Sequence, residues 1–193
     1  MFPNRYTVIG ESYLPLFKCN ETDIKIKIFN ATLVGKSIVR TQYNDQEDSN
    51  NIVVMDNCLM KGCVNQAVCL YDNGAEGYIT NCEICDCDMD GIYALYNSKL
   101  YAVGNYVHNV GFRRLSSRGI AAYGTFYIAH NRIEDFGYAA IHAGVSSNIQ
   151  PKKEGGEWIS SGTYYDCHGI IEYNTIHQTP EYFQNDSQHH VTM

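Results

Sequence analysis

Apolar and polar residues alternate in short bursts along this chain, and the bursts recur. Ile24 to Phe29 (IKIKIF) alternates strictly, the pattern of a half-buried strand. Ala31 to Leu33 then leads to Ser37-Ile38-Val39, and the polar run 44–51 (NDQEDSNN) reads as a loop. Farther on, IVVMDNCL (52–59), GYITNCEI (77–84), LYAVGNYV (100–107), FYIAHNRI (126–133) and GIIEYNTI (169–176) align on their last apolar residue. No long segment carries apolar residues at i, i+3, i+4 and i+7 with credible caps, so the pattern predicts strands and turns.

The anchors Leu59, Ile84, Val107 and Ile133 are 25, 23 and 26 residues apart, and Ile176 follows after 43. A second register trails each one: AVCLY (67–71), GIYAL (91–95), GIAAY (119–123) and AIHAG (140–144). A period in the low twenties without helices predicts a parallel β-solenoid, in which stacked turns bury a face that none can bury alone. Two residues before the anchors stand Asn57, Cys82, Asn105, Asn131 and Asn174. An Asn there tolerates a left-handed bend and can hydrogen-bond along a ladder of its counterparts. The expected organisation is an irregular lead-in or cap over 1–22, then a β-helix of five or six coils over 23–193, with an insertion at 146–168.

The N-x-I … G-I repeats resemble the right-handed parallel β-helix proteins of the pectate-lyase-like superfamily. The pairing of HNRIEDFGYAAIHAGV with a downstream GIIEYNTIHQT is similar to carbohydrate-active β-helix proteins common in gut bacteria. The resemblance spans about residues 50–180. It implies an all-β, right-handed parallel β-helix, a secreted or cell-surface location, and a polysaccharide or glycan held in a groove along one outer face. The activity it implies is glycoside hydrolysis first. Lyase or epimerase action on uronic-acid polymers is the alternative, and a non-enzymatic glycan-binding or structural solenoid is a third reading. Relatives often continue past the N-x-I-H turn into an acidic, Gly-rich segment; this chain reads PEYFQNDSQHHVTM and is expected to stop part-way through a coil.

Charge and composition narrow the partners. A formal charge of −7 argues against a nucleic-acid partner, which needs clustered Lys and Arg. An acidic polysaccharide would need a local basic patch against that balance. No apolar run approaches the roughly 20 residues of a bilayer span, so no membrane partner is expected, and the N-terminus lacks the pattern of a signal peptide. Sixteen Tyr support a β-rich fold. The eight Cys (19, 58, 63, 69, 82, 85, 87 and 167) read mostly as small buried residues of the repeat. Cys82-x-x-Cys85-x-Cys87 lacks a second well-spaced ligand pair, so no metal or other cofactor is assigned.

Candidate chemistry lies in the turns after the anchors. Asp86, Asn109, Asp135 and Gln178 share one column, and His108, Glu134 and His177 share the next. Asp86 and Asp135 are two coils apart, about 9–10 Å at about 4.8 Å per coil. That spacing suits the acid and base of inverting glycoside hydrolysis, with His108 or His142 orienting a sugar hydroxyl. Polar residues also belong in exposed turns, so scaffold is the competing reading. Tyr78, Tyr101 and Tyr127 form an outward column that offers flat faces to sugar rings or holds the solenoid together. With Val68, Ile92, Ile120 and Ile141 inward, Cys69, Tyr93, Ala121 and His142 form another outward column. Arg113, Arg114 and Arg118 make a basic loop; the resemblance implies a lyase role for it, since lyases of this fold often use an Arg or Lys near a carboxylate, and a solvated loop is the competing reading. Trp158, in the insertion with Lys152 and Lys153, is a candidate substrate wall. Asp86, Asp88 and Asp90 (DCDMDG) echo a Ca²⁺ loop, but the later Glu of such a loop is missing.

Overall fold

The computed structural model describes residues 6–41, 48–111, 116–144, 146–147, 150–154, 157–161 and 164–179, with backbone alone for 146–165. The chain visits three parallel sheets in a fixed order, A then B then C, and starts again. Its first three rounds are β1 (Tyr6–Ile9), β2 (Phe17–Cys19) and β3 (Lys25–Phe29), then β4 (Ala31–Val34), β5 (Val39–Thr41) and β6 (Ile52–Asp56), then β7 (Leu59–Lys61), β8 (Val68–Leu70) and β9 (Glu76–Thr80). Two more follow: β10 (Glu83–Cys87), β11 (Ile92–Ala94) and β12 (Lys99–Val103), then β13 (Tyr106–Val110), β14 (Arg118–Ala122) and β15 (Thr125–Ala129).

In the last round, β16 (Arg132–Phe136) and β17 (Ala139–Ala143) lead into an arm. The arm is an antiparallel ribbon of β18 (Ser146–Ser147), β19 (Gln150–Glu154), β20 (Glu157–Ser161) and β21 (Tyr164–Tyr165). The chain then returns to sheet C as β22 (His168–Glu172) and to sheet A as β23 (Thr175–His177). The result is a parallel β-solenoid of about five turns, the β-helix that the repeat predicts.

The core follows from the alternation. Leu33, Met60, Ile84, Val107 and Ile133 stack in register through sheet A, each wholly buried. Val39, Val68, Ile92 and Ile120 do so in sheet B, and Met55, Ile79, Ala102 and Ile128 in sheet C. Burying each large side chain contributes about 1.5–3 kcal/mol. Because every column continues into the next coil, the contribution accrues only when coils stack.

Three expectations change in detail. The anchor of the third coil is Met60, which pairs with Ile84; Leu59 faces outward and is half-buried. A strand has period two, so this shift of one residue exchanges the faces. The recurring Asn also divides its two supposed roles between neighbouring columns. The left-handed bend belongs to the residue before it: Asn30, Asn57, Asn81, Gly104, His130 and Tyr173 all have φ between 50° and 68°. The ladder runs through the following column, where Cys58 N–H donates to Cys82 Sγ (3.4 Å) and Cys82 N–H to Asn105 Oδ1 (3.0 Å). Asn105 N–H then donates to Asn131 Oδ1, and Asn131 N–H to Asn174 Oδ1, both at 2.9 Å. Finally, the stretch read as a lead-in contributes β1 to sheet A and β2 to sheet B, so coiling begins before residue 23.

Candidate functional site

The outer face of sheet B carries the densest chemistry. Strand register stacks Lys18, Arg40, Cys69, Tyr93, Ala121 and His142 in one outward column. Asp90, in an A-to-B turn, and Arg118, which opens β14 one coil on, add to it, each directly before a glycine. The glycines are required by space: a Cβ on Gly91 would lie 2.8 Å from the Gly119 carbonyl oxygen, and one on Gly119 2.6 Å from that of Ala140. This close approach brings Asp90 and Arg118 together at the rim of the sheet.

Asp90 is 2% exposed, and its Oδ1 accepts the Arg118 backbone N–H at 2.9 Å, with the Arg118 guanidinium 3.6 Å away. Burial raises the Asp90 carboxyl above its ordinary range, and the bonds from Arg118 counter only part of that. Arg40 lies 5.3 Å over the Tyr71 ring, and no carboxylate among the described residues pairs with it. The Nε atoms of Arg40 and Arg118 are buried without a hydrogen-bond partner. With Gln66, Cys69, Tyr71, Met89, Tyr93 and Ser117, these groups line a cleft of about 180 Å³.

Aromatic contacts extend the face toward His142. Tyr93 meets Tyr123 edge-on at 5.7 Å, and Tyr123 meets His142 at 5.3 Å. Burial, then the Arg118 charge, lowers the His142 imidazole, which is therefore neutral at neutral pH. Burial raises the Tyr93 phenol, so it keeps its proton. A neutral imidazole, protonated phenols, a buried carboxyl and two guanidinium groups on one face can bind an anion and move a proton beside it.

Other expected site residues lie elsewhere. Asp86 and Asp135 keep their separation of two coils on sheet A, with Asn109 between them, but all three occupy left-handed bends (φ 56°, 49° and 52°). Asp135 Oδ1 accepts the Thr179 N–H and hydroxyl at 2.9 and 2.7 Å, and Asn109 reaches Asp86 at 3.5 Å. These bonds fix the bend. Glu134 accepts from Tyr106 (2.7 Å) and Arg132 (2.8 Å), which lower its carboxyl, and His108 stacks on Tyr106 at 4.2 Å beside Glu83. Tyr78, Tyr101 and Tyr127 stack in register on sheet C, with centroids 6.2 and 5.3 Å apart.

The expected site residues are thus distributed over three faces, and of them only Arg118 and His142 share the cleft face. Asp86, Asp88 and Asp90 do not converge as a cation cluster; Asp90 turns instead to Arg118. Arg113, Arg114 and the Trp158 side chain lie outside the described residues. Arg40 and Tyr71 were missed because only register reveals that they neighbour Cys69 and Tyr93. Asp90 and Arg118 had a usable signal, since each directly precedes a Gly-Ile of the second repeat register. No protein family, curated protein or solved structure matches the chain.

Proposed function

We propose that this chain is a carbohydrate-active β-helix protein of the pectate-lyase-like type, acting on an acidic glycan laid along the outer face of sheet B. The observation that carries this reading is the pair Arg40 and Arg118 in one cleft, both with an unpartnered Nε. Together with Lys18 farther along the column, they supply the local basic patch that a chain of net charge −7 needs for a polyuronate. The chemistry this arrangement favours is proton abstraction beside a sugar carboxylate. Arg118 holds the carboxylate and stabilises the charge that develops on it, while Arg40, four coils from His142 along the column, holds the carboxylate of another sugar of the chain. Neutral His142 takes the ring proton at C5, the C5 electron pair forms a C4=C5 double bond, and the C4–O bond breaks. A phenol, Tyr93 or Tyr123, protonates the departing oxygen. Return of a proton to the opposite face of C5 without C–O cleavage would be epimerisation.

The test is to incubate the protein with a panel of polyuronates and record the ultraviolet absorbance of unsaturated ends. Arg118→Ala should abolish the signal while far-ultraviolet circular dichroism stays unchanged. Glycan binding without any product would reduce the reading to a binding solenoid.

Glycoside hydrolysis retains one supporting observation, the raised carboxyl of Asp90, which suits a general acid. Among the described residues lining the cleft, Asp90 is the sole carboxylate, whereas hydrolysis ordinarily uses two. New reducing ends without unsaturation would select it over elimination.

A further inference from the structure

On the outer face of sheet A, away from the cleft, Glu83, Cys85 and His108 form a compact group. Glu83 and Cys85 are two apart on β10 and so project to the same side; His108 is the register partner of Cys85 on β13. One carboxylate oxygen, the Cys85 Sγ and one imidazole nitrogen all lie within 4.8 Å of one another. We propose that these three residues bind a borderline divalent cation of the Zn²⁺ type, leaving the fourth coordination position to solvent.

The argument is geometric. His108 Nε2 and Glu83 Oε1 are 3.3 Å apart, long for a charge-assisted hydrogen bond. That separation is the edge of a tetrahedron: metal–nitrogen and metal–oxygen bonds of roughly 2.0–2.1 Å span roughly 3.3 Å between ligands. With a metal–sulfur bond of roughly 2.3 Å, the edges to Cys85 need only roughly 3.5 Å, within reach of a small side-chain rotation. One thiolate, one imidazole and one carboxylate favour Zn²⁺ or Co²⁺ over Ca²⁺ or Mg²⁺, which prefer oxygen.

The surroundings suit such a site. The Tyr106 ring stacks on His108 with planes 22° apart, which restrains the imidazole, and the Tyr106 hydroxyl is tied to Glu134 at 2.7 Å. Cys85 is 5% exposed, while the Glu83 and His108 side chains are 37% and 19% exposed, so solvent reaches the group from one side. The site requires nothing of the glycan reading.

The experiment is a Co²⁺ titration of the full chain, reduced and stripped with chelator, read by the near-ultraviolet thiolate-to-cobalt charge-transfer band and then by displacement with Zn²⁺. The expected result is saturation at one equivalent, with the band absent in Cys85→Ser. Glu83→Gln, an isosteric change on a partly exposed side chain, should weaken Co²⁺ binding at least as much as the 10–100-fold that follows loss of a supporting partner. His108→Gln should do the same. Absence of a thiolate band in the native chain overturns the proposal. So does a band that survives Cys85→Ser and is lost in Cys63→Ala, or full affinity in Glu83→Gln.

Discussion

Asn131 holds Asn105 twice: its Oδ1 accepts both the backbone N–H and the side-chain Nδ2–H of Asn105, each at 2.9 Å, across one coil. Its own Nδ2 donates to the Ala102 carbonyl and to Asn174 Oδ1, both at 2.9 Å. Both residues are 1% exposed, so water cannot replace these bonds. Asn131→Ala should therefore destabilise the chain by about 2–5 kcal/mol, the cost of two buried donors left unpaired. Cys82 holds the same station through a longer sulfur contact, so Cys82→Ala should cost less than half as much. Equilibrium urea unfolding measures both, and a loss under about 0.5 kcal/mol for Asn131→Ala would refute the ladder's role.

The corner column makes a separate prediction. His130 sits at φ 56°, where earlier coils use Asn30, Asn57 and Asn81. Asn visits that region at lower cost than other non-glycine residues. In His130→Asn the easier left-handed bend offsets the lost ring contact with Tyr173 at 5.2 Å, so stability should change by less than about 0.5 kcal/mol. Gly104→Ala should destabilise by about 1–2 kcal/mol, because φ is +68° and the new Cβ would lie 2.8 Å from Asn81 Oδ1. Thermal unfolding should leave the His130→Asn midpoint near wild type and lower that of Gly104→Ala.

The tyrosine column separates scaffold from substrate contact. Tyr101 packs between Tyr78 and Tyr127, and an aromatic pair is worth about 0.5–1.5 kcal/mol beyond its burial. Tyr101→Ala should cost about 1–3 kcal/mol and leave turnover of any polyuronate unchanged, since the column lies on sheet C. A fall in glycan affinity with stability intact would instead make sheet C a binding face.

Two residues on the cleft face give opposite pH dependences. The folded His142 value lies below its ordinary 6.5, so the unfolded chain takes up that proton first as pH falls. Stability should decline as pH drops from about 6.5 toward the folded value, and His142→Gln should remove that limb. Asp90 is raised above its ordinary 3.8, so there the folded chain binds the proton more tightly. Its contribution is fully present below 3.8 and is lost as pH rises through the folded value. Urea midpoints across pH, wild type minus variant, isolate each group; equal slopes for His142→Gln and wild type between pH about 5 and 7 would contradict the assignment.

The chain order alone determined the solenoid. A period in the low twenties, short alternating bursts and a recurring Asn admit few ways to bury the apolar face, and stacking like on like is the one adopted. It also determined most columns, because residues one period apart must lie side by side. What it left undecided was register at single-residue resolution and which columns meet around a turn. Leu59 and Met60 are equally apolar, and only the bend at Asn57 decides which faces the core. Asp86 and Asp90 are four residues apart in one acidic run. The tertiary structure ties Asp86 into a left-handed bend beside Asn109, and buries Asp90 against Arg118 from a coil away. The physical reason is that a solenoid is local along its axis, so neighbours in a column are legible from spacing. Around its circumference, side chains are brought together by turn geometry, and Gly91 and Gly119 set that geometry by their lack of a Cβ.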